Sequence, residues 1–151
     1  MILVTFDGSG GSEHALDYAC DFAKLLGTEI HVCHAIDYVS LPRTLSKSPE
    51  SAPDFLHEDG EAILAKARRI ARKHDLPIHC HLIRGNAAGA ILRLSIDSRA
   101  DLIVMGTHGR TGLRRLVLGS VAECVTRHSD LPVLLLRDPT YELTATRGKQ
   151  S

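Results

Sequence analysis

Tryptophan is absent from the sequence, and aromatic residues make up only 4% of it. Base-stacking platforms for single-stranded nucleic acid need such rings, so that class is disfavoured. An excess of either charge is also missing: Lys plus Arg is 18, Asp plus Glu is 18, and the formal net charge is zero. That balance gives no electrostatic case for nucleic acid or for an anionic membrane surface. No apolar stretch approaches the ~18 residues of a membrane-spanning helix. The opening Met1-Ile2-Leu3-Val4-Thr5-Phe6-Asp7 has no basic leader and is broken early by Asp7. The 4 cysteines, Cys20, Cys33, Cys80 and Cys124, are scattered with no C-x-x-C pair. They fit reduced thiols in a reducing compartment. A cytoplasmic chain with neither nucleic-acid nor membrane partners is expected.

What is present is an ample apolar content, 44% of 151 residues, enough for the core of one ordinary domain. Short β-branched runs alternate with longer segments of helical period. Residues 2–6 form a buried-strand pattern ending at Asp7-Gly8. In residues 9–26 the apolar positions Ala15, Leu16, Ala19, Phe22, Ala23 and Leu26 recur at offsets of three and four, the mark of an amphipathic helix. Gly27 is placed to end it. Strands are expected over residues 29–35, 77–83, 101–105 and 132–136. Helices are expected over 56–74 and 87–98, with one or two short helices within 113–128. Residues 37–55 are rich in Ser and Pro and interrupt the pattern as a long loop, either a lid over a site or an excursion. The domain is expected to occupy residues 1–138, followed by a polar tail over 139–151.

Strands that alternate with helices imply a parallel sheet covered on both faces, with right-handed crossovers. Ligands in such sheets bind at the carboxyl ends of the strands, where strand order reverses. The first and fourth strands both end in glycine-rich turns. The second of these is Met105-Gly106-Thr107-His108-Gly109-Arg110-Thr111-Gly112, running on to Leu118-Gly119-Ser120-Val121. Glycines permit close backbone approach, so amide N–H groups can converge on an anion. A helix starting at Ser120 adds unpaired N–H groups and the favourable end of its dipole. There is no G-x-x-x-x-G-K-[ST] loop, so P-loop chemistry is excluded, and Gly8-Ser9-Gly10-Gly11 does not match G-x-G-x-x-G.

The spacing Gly106-x2-Gly109-x9-Gly119-Ser120 resembles the ATP-binding pattern of universal stress proteins. The opening strand and turn, Ile2-Leu3-Val4-Thr5-Phe6-Asp7-Gly8-Ser9, is similar to the first strand of that family. Asp101-Leu102-Ile103-Val104-Met105-Gly106 and Pro132-Val133-Leu134-Leu135-Leu136 are similar to its fourth and fifth strands. The likeness runs over residues 1–137 in the same order. One departure is visible: many members carry a proline soon after the glycine that follows strand three, and Gly85-Asn86-Ala87 lacks it.

The resemblance implies a single-domain α/β fold of the adenine nucleotide alpha hydrolase-like type. This is an open parallel five-stranded sheet of order 3-2-1-4-5, with helices on both faces. It implies ATP as ligand, with Mg or Mn beside the phosphates. Thr5, Phe6 and Asp7 would meet the adenosine and the backbone of Ala35 the adenine edge. Met105 and Gly106 would border the ribose, and His108, Gly109, Gly119, Ser120 and Val121 the phosphates. It also implies a homodimer formed through Val133, Leu134, Leu135 and Leu136, an apolar edge that would otherwise invite aggregation.

Plainer readings stand beside these. Asp7 also suits a helix entry, and the three glycines suit ordinary turns. Arg110, Arg114 and Arg115 could steer a triphosphate or form ion pairs at a dimer face. The basic residues Lys66, Arg68, Arg69, Arg72 and Lys73 fit the exposed face of a helix. His31 and Cys33 share one face of the second strand, and His79 and His81 one face of the third. Pairing of those strands would bring the four together as a conceivable zinc set. The spacing carries no finger-like signature, so no metal ligand is assigned from sequence. No catalytic residue is assigned either. The expected activity is regulatory binding of ATP, with occupancy modulating dimer or partner contacts. The alternatives are a slow metal-dependent ATPase using His108, and an interaction protein that binds no nucleotide.

Overall fold

A computed structural model describes residues 1–37, 54–109 and 118–139. The elements run β1 (Ile2–Thr5), α1 (Gly10–Leu26), β2 (Ile30–Ile36), α2 (Asp54–Lys73), β3 (Ile78–Arg84), α3 (Ala87–Asp97), β4 (Leu102–Gly106), α4 (Ser120–His128) and β5 (Val133–Leu136). All strand pairs are parallel, and the sheet order is β3-β2-β1-β4-β5. This is the order that the resemblance implies. Chain direction reverses its walk across the sheet at β1 and β4, which opens a crevice between their carboxyl ends.

Ile2, Leu3 and Val4 of β1 divide between two cores. Ile2 and Val4 face α1 and α2, among Ala15, Leu16, Ala19, Leu64 and Ala67. Leu3 faces α3 and α4, with Ile91, Ile103 and Val125. Both faces being covered explains why the central strands are continuous apolar runs without polar alternation. The helix ends follow from local chemistry. The Ser9 hydroxyl accepts from the backbone N–H of Ser12 and caps α1, and Gly27 closes that helix in the left-handed conformation (φ 61°). The Asn86 side chain accepts from Gly89 N at 3.1 Å and caps α3. Lys66 pairs with Glu13 and ties α2 to α1. His74 reaches Asp17 at 2.9 Å and Asp21 at 3.1 Å across the same helix pair. The rest of the basic set, Arg68, Arg69, Arg72 and Lys73, lies exposed on α2.

Boundaries differ from expectation by a residue or two at most elements. Helix α2 begins at Asp54, two residues earlier than expected. In the interval 113–128, the described helix is α4 from Ser120. Residues 38–53, which hold most of the expected loop, lie outside the described residues, as do 110–117 and 140–151. Among the described residues, no helix is long and apolar enough to cross a membrane.

Candidate nucleotide-binding site

The crevice at the carboxyl ends of β1 and β4 is a cavity of about 380 Å³. That is within the range of small-ligand pockets, ~300–1,000 Å³. Thr5, Phe6, Asp7, Ala35, Met105, Gly106, His108, Gly109, Gly119, Ser120 and Val121 all line it. Every site residue singled out from sequence is thus brought to one cavity. Arg110, Arg114 and Arg115 lie outside the described residues.

Asp7 leaves β1 at the floor of the cavity. Its Oδ1 accepts from Ser9 N at 3.0 Å and from the Ser9 hydroxyl at 2.5 Å. The plain reading of Asp7 as a helix-entry residue is therefore correct as far as it goes: its carboxylate orders the turn into α1. Its Oδ2 stands 3.0 Å from where a Cβ on Gly109 would sit, so the same carboxylate abuts the glycine turn after β4.

The three glycines of the pattern do different work. A Cβ on Gly106 would lie 2.9 Å from the backbone carbon of Gly11. Gly106 therefore lets β4 pass close beneath the first turn of α1. Among the described residues, a Cβ on Gly109 would meet the Asp7 carboxylate, the end of a side chain. Gly119 donates its N–H to Thr107 O at 2.8 Å, which folds the chain back over the end of β4. It is also the N-cap of α4 and supplies no side-chain cap. Ser120, Val121 and Ala122 open that helix on the cavity. The first N–H groups of a helix have no intrahelical partners, so this turn presents donors and a positive dipole end to whatever enters. The start of α1 contrasts with it. Ser9 caps that helix, and a Cβ at Gly10 would collide with the Asp138 carboxylate.

Several cavity residues were not found from sequence. Ser12, Cys33, His34, Ile36, Asp37, Leu56, Asp59 and Thr107 also line it. His34 is buried, with Nδ1 2.9 Å from Phe6 O, and so fastens the end of β1 to β2. Burial pushes the Cys33 thiol up to about 12, so it stays protonated and unreactive at neutral pH. Thr107 Oγ1 lies 3.0 Å from Nδ1 of His108 and holds that ring at the cavity edge. Asp37 and Asp59 add carboxylates at the β2 side, away from the helix dipole of α4. The cavity is polar in a graded way, with acceptors beside β2 and α2 and donors beside α4.

Of the four residues of the conceivable zinc set, the three histidines come together, and Cys33 lines the cavity instead. His31 pairs in register with His79, and Cys33 with His81. His31 lies against both β3 rings, with centroids 4.7 Å from His79 and 4.9 Å from His81. Burial first, then the neighbouring imidazoles, holds His31 and His81 below the usual histidine range.

Comparison with known proteins agrees with the fold. Residues 1–137 match the model of the universal stress protein family. The chain is 36% identical over 144 residues to the universal stress protein MJ0531 of Methanocaldococcus jannaschii, covering 93% of this chain and 84% of that protein. Its fold matches the solved hypothetical protein MJ0577 with a TM-score of 0.74 at 28% identity, over 90% of this chain and 94% of the other. It also matches a universal stress protein solved in complex with cAMP, with a TM-score of 0.68 at 26% identity, over 89% and 94% of the two chains. By sequence and by fold, the chain belongs to the universal stress protein family.

Proposed function

We propose that this chain is an adenine-nucleotide-binding module, with ATP as its ligand, and that occupancy alters the surface it offers to a second copy or another partner. One observation carries the reading: the first turn of α4, whose N-cap Gly119 has no side chain, and Gly109 line the same cavity as the carboxylates Asp7, Asp37 and Asp59. Phosphates are stabilised by the helix N–H groups, and ribose hydroxyls and the adenine amino group are donors that suit carboxylates and strand carbonyls. In this reading Thr5, Phe6, Asp7 and the backbone of Ala35 meet the adenosine, and Met105 and Gly106 border the ribose. His108, Gly109, Gly119, Ser120 and Val121 surround the phosphates. A divalent ion, Mg or Mn, accompanies the phosphates as counter-charge. The adenine-nucleotide complex of the relative bound to cAMP supports the ligand class.

Strand β5 stands at one edge of the sheet, and Val133, Leu134, Leu135 and Leu136 are each only partly buried within the single chain. An apolar edge of this kind favours pairing with a second copy, and we assign the homodimer contact to it.

The test has two steps. Denaturing the purified protein and analysing the supernatant by mass spectrometry identifies any retained nucleotide. Titrating the stripped protein with Mg-ATP, and separately with cAMP, measures affinity. Saturable binding of ATP tighter than cAMP is expected. Binding of cAMP alone would change the ligand, and absence of both would overturn the module.

A further inference from the structure

The cavity leaves unused a second group of chemistry-bearing side chains. Glu29 precedes β2, His31 is the second residue of β2 and His79 the second residue of β3. Each offers one ligand atom, and the three atoms lie within 4.8 Å of one another. Register explains the meeting. Parallel pairing sets Ile30 beside Ile78 and His31 beside His79, and side chains of paired residues point to the same face. Helices α3 and α4 cover this face over Leu3, the β1 neighbour of His31, and over Cys33 farther along β2, and leave Glu29 and His79 exposed.

We propose that Glu29, His31 and His79 form a site for a divalent transition ion of the zinc class, with His81 orienting the ring of His31. Two imidazoles and one carboxylate are a ligand set that zinc takes up with a fourth position open to water. Nitrogen donors exclude the oxygen-loving Mg and Ca ions. His81 Nε2 lies 3.0 Å from His31 Nδ1. A proton donated from His31 Nδ1 leaves Nε2 as the nitrogen that binds the ion, and such an outer hydrogen bond is what fixes the tautomer of a metal-bound histidine. Tetrahedral zinc holds its ligand atoms about 3.4 Å apart, so the three need close by at most about 1.4 Å. Glu29 and His79 are exposed and can swing that far, while His31 is half-buried and held by its ring contacts. Cys33 is not part of the set, because its buried side chain packs in the core beneath α3. The ion would clasp the edge strand β3 to β2, far from the nucleotide cavity at the opposite ends of the strands.

The experiment uses the full chain without an affinity tag, stripped of nucleotide and dialysed against chelator. Calorimetric titration with zinc chloride is expected to give about one ion per chain, with no competition from Mg. His79→Ala and Glu29→Gln, both at exposed positions, are each expected to weaken zinc by about tenfold or more, and His81→Ala by about tenfold through the second hydrogen-bond shell. Zinc should raise the Tm of the unmodified chain and not that of His79→Ala. Cobalt(II) should give visible absorption bands that disappear in the same variants. No saturable zinc binding would overturn the proposal. So would unchanged affinity in both His79→Ala and Glu29→Gln, which would mean an adventitious ion only.

Discussion

Gly109→Val separates the binding role of the glycine pattern from its folding role. The glycines whose backbone occupies the left-handed region among the described residues are Gly8, Gly27 and Gly85, so Gly109 can accept a side chain without φ strain. The added Cβ would lie 3.0 Å from Asp7 Oδ2, and valine would add bulk at a residue that lines the cavity. Asp7 can yield by a few tenths of an ångström, since the contact is with the end of its side chain. The fold should therefore lose about 1 kcal/mol or less. A methyl-bearing wall where an anion must approach N–H donors leaves those donors desolvated without a partner, at a cost of about 1–3 kcal/mol. The expected loss in ATP affinity is therefore about ten- to hundredfold. Calorimetry on stripped protein measures it, and urea unfolding of the same sample checks stability. Gly106→Ala is the contrasting variant. Its Cβ would meet the Gly11 backbone at 2.9 Å, so β4 or α1 must shift, with an expected destabilisation of about 1–3 kcal/mol. Unchanged ATP affinity in Gly109→Val would refute the cradle, and a collapse of stability in that variant would refute the division of labour.

Removing the α1 cap with Ser9→Ala should cost about 1 kcal/mol in urea unfolding, because the Ser12 N–H loses its acceptor and Asp7 loses a donor. Burial, then Asp17 and Asp21, raises the Cys20 thiol from 9.0 to about 11. The unfolded chain therefore releases this proton first as pH rises, and the Cys20 contribution to stability, intact below about 9, should be lost progressively up to about 11. Cys20→Ala should show a shallower alkaline loss in urea unfolding measured from pH 8 to 11, and an unchanged slope would refute that source. Incubation with Mg-ATP should release phosphate no faster than a protein-free control; release above the control that falls in His108→Ala would replace the binding module with a slow ATPase. Light scattering at micromolar concentration should give twice the 16.4 kDa chain mass, and a monomeric mass would refute the β5 contact.

The fold was legible because each element carried its own local signal. Gly27 ends α1, and short uninterrupted apolar runs such as Leu102–Met105, bounded by turn residues, suit strands buried on both faces. The site was legible where its residues sit in sequence beside those signals, after β1 and after β4. His34, Asp37 and Asp59 were not, because nothing in their own neighbourhoods marks them. They join the cavity only once β2 is seated beside β1, by bonds such as Phe6 N to Cys33 O at 2.8 Å, and once α2 has folded back over β2.

The same dependence on pairing explains Glu29. Histidines at positions 31, 79 and 81 could be placed on strand faces by alternation alone, but the carboxylate comes from the turn before β2, where alternation says nothing. Register decides it. A slip of one residue between β2 and β3 would turn His79 to the opposite face and leave Glu29 and His31 with one imidazole fewer. That register is itself held by burial, since Ile78, Cys80 and Leu82 must face the core of α1 and α2 for the edge strand to pack. The apolar residues of β3 thereby fix which way its histidines point. A chemical cluster can thus be specified by residues that take no part in it, and local reading of the cluster alone cannot find them.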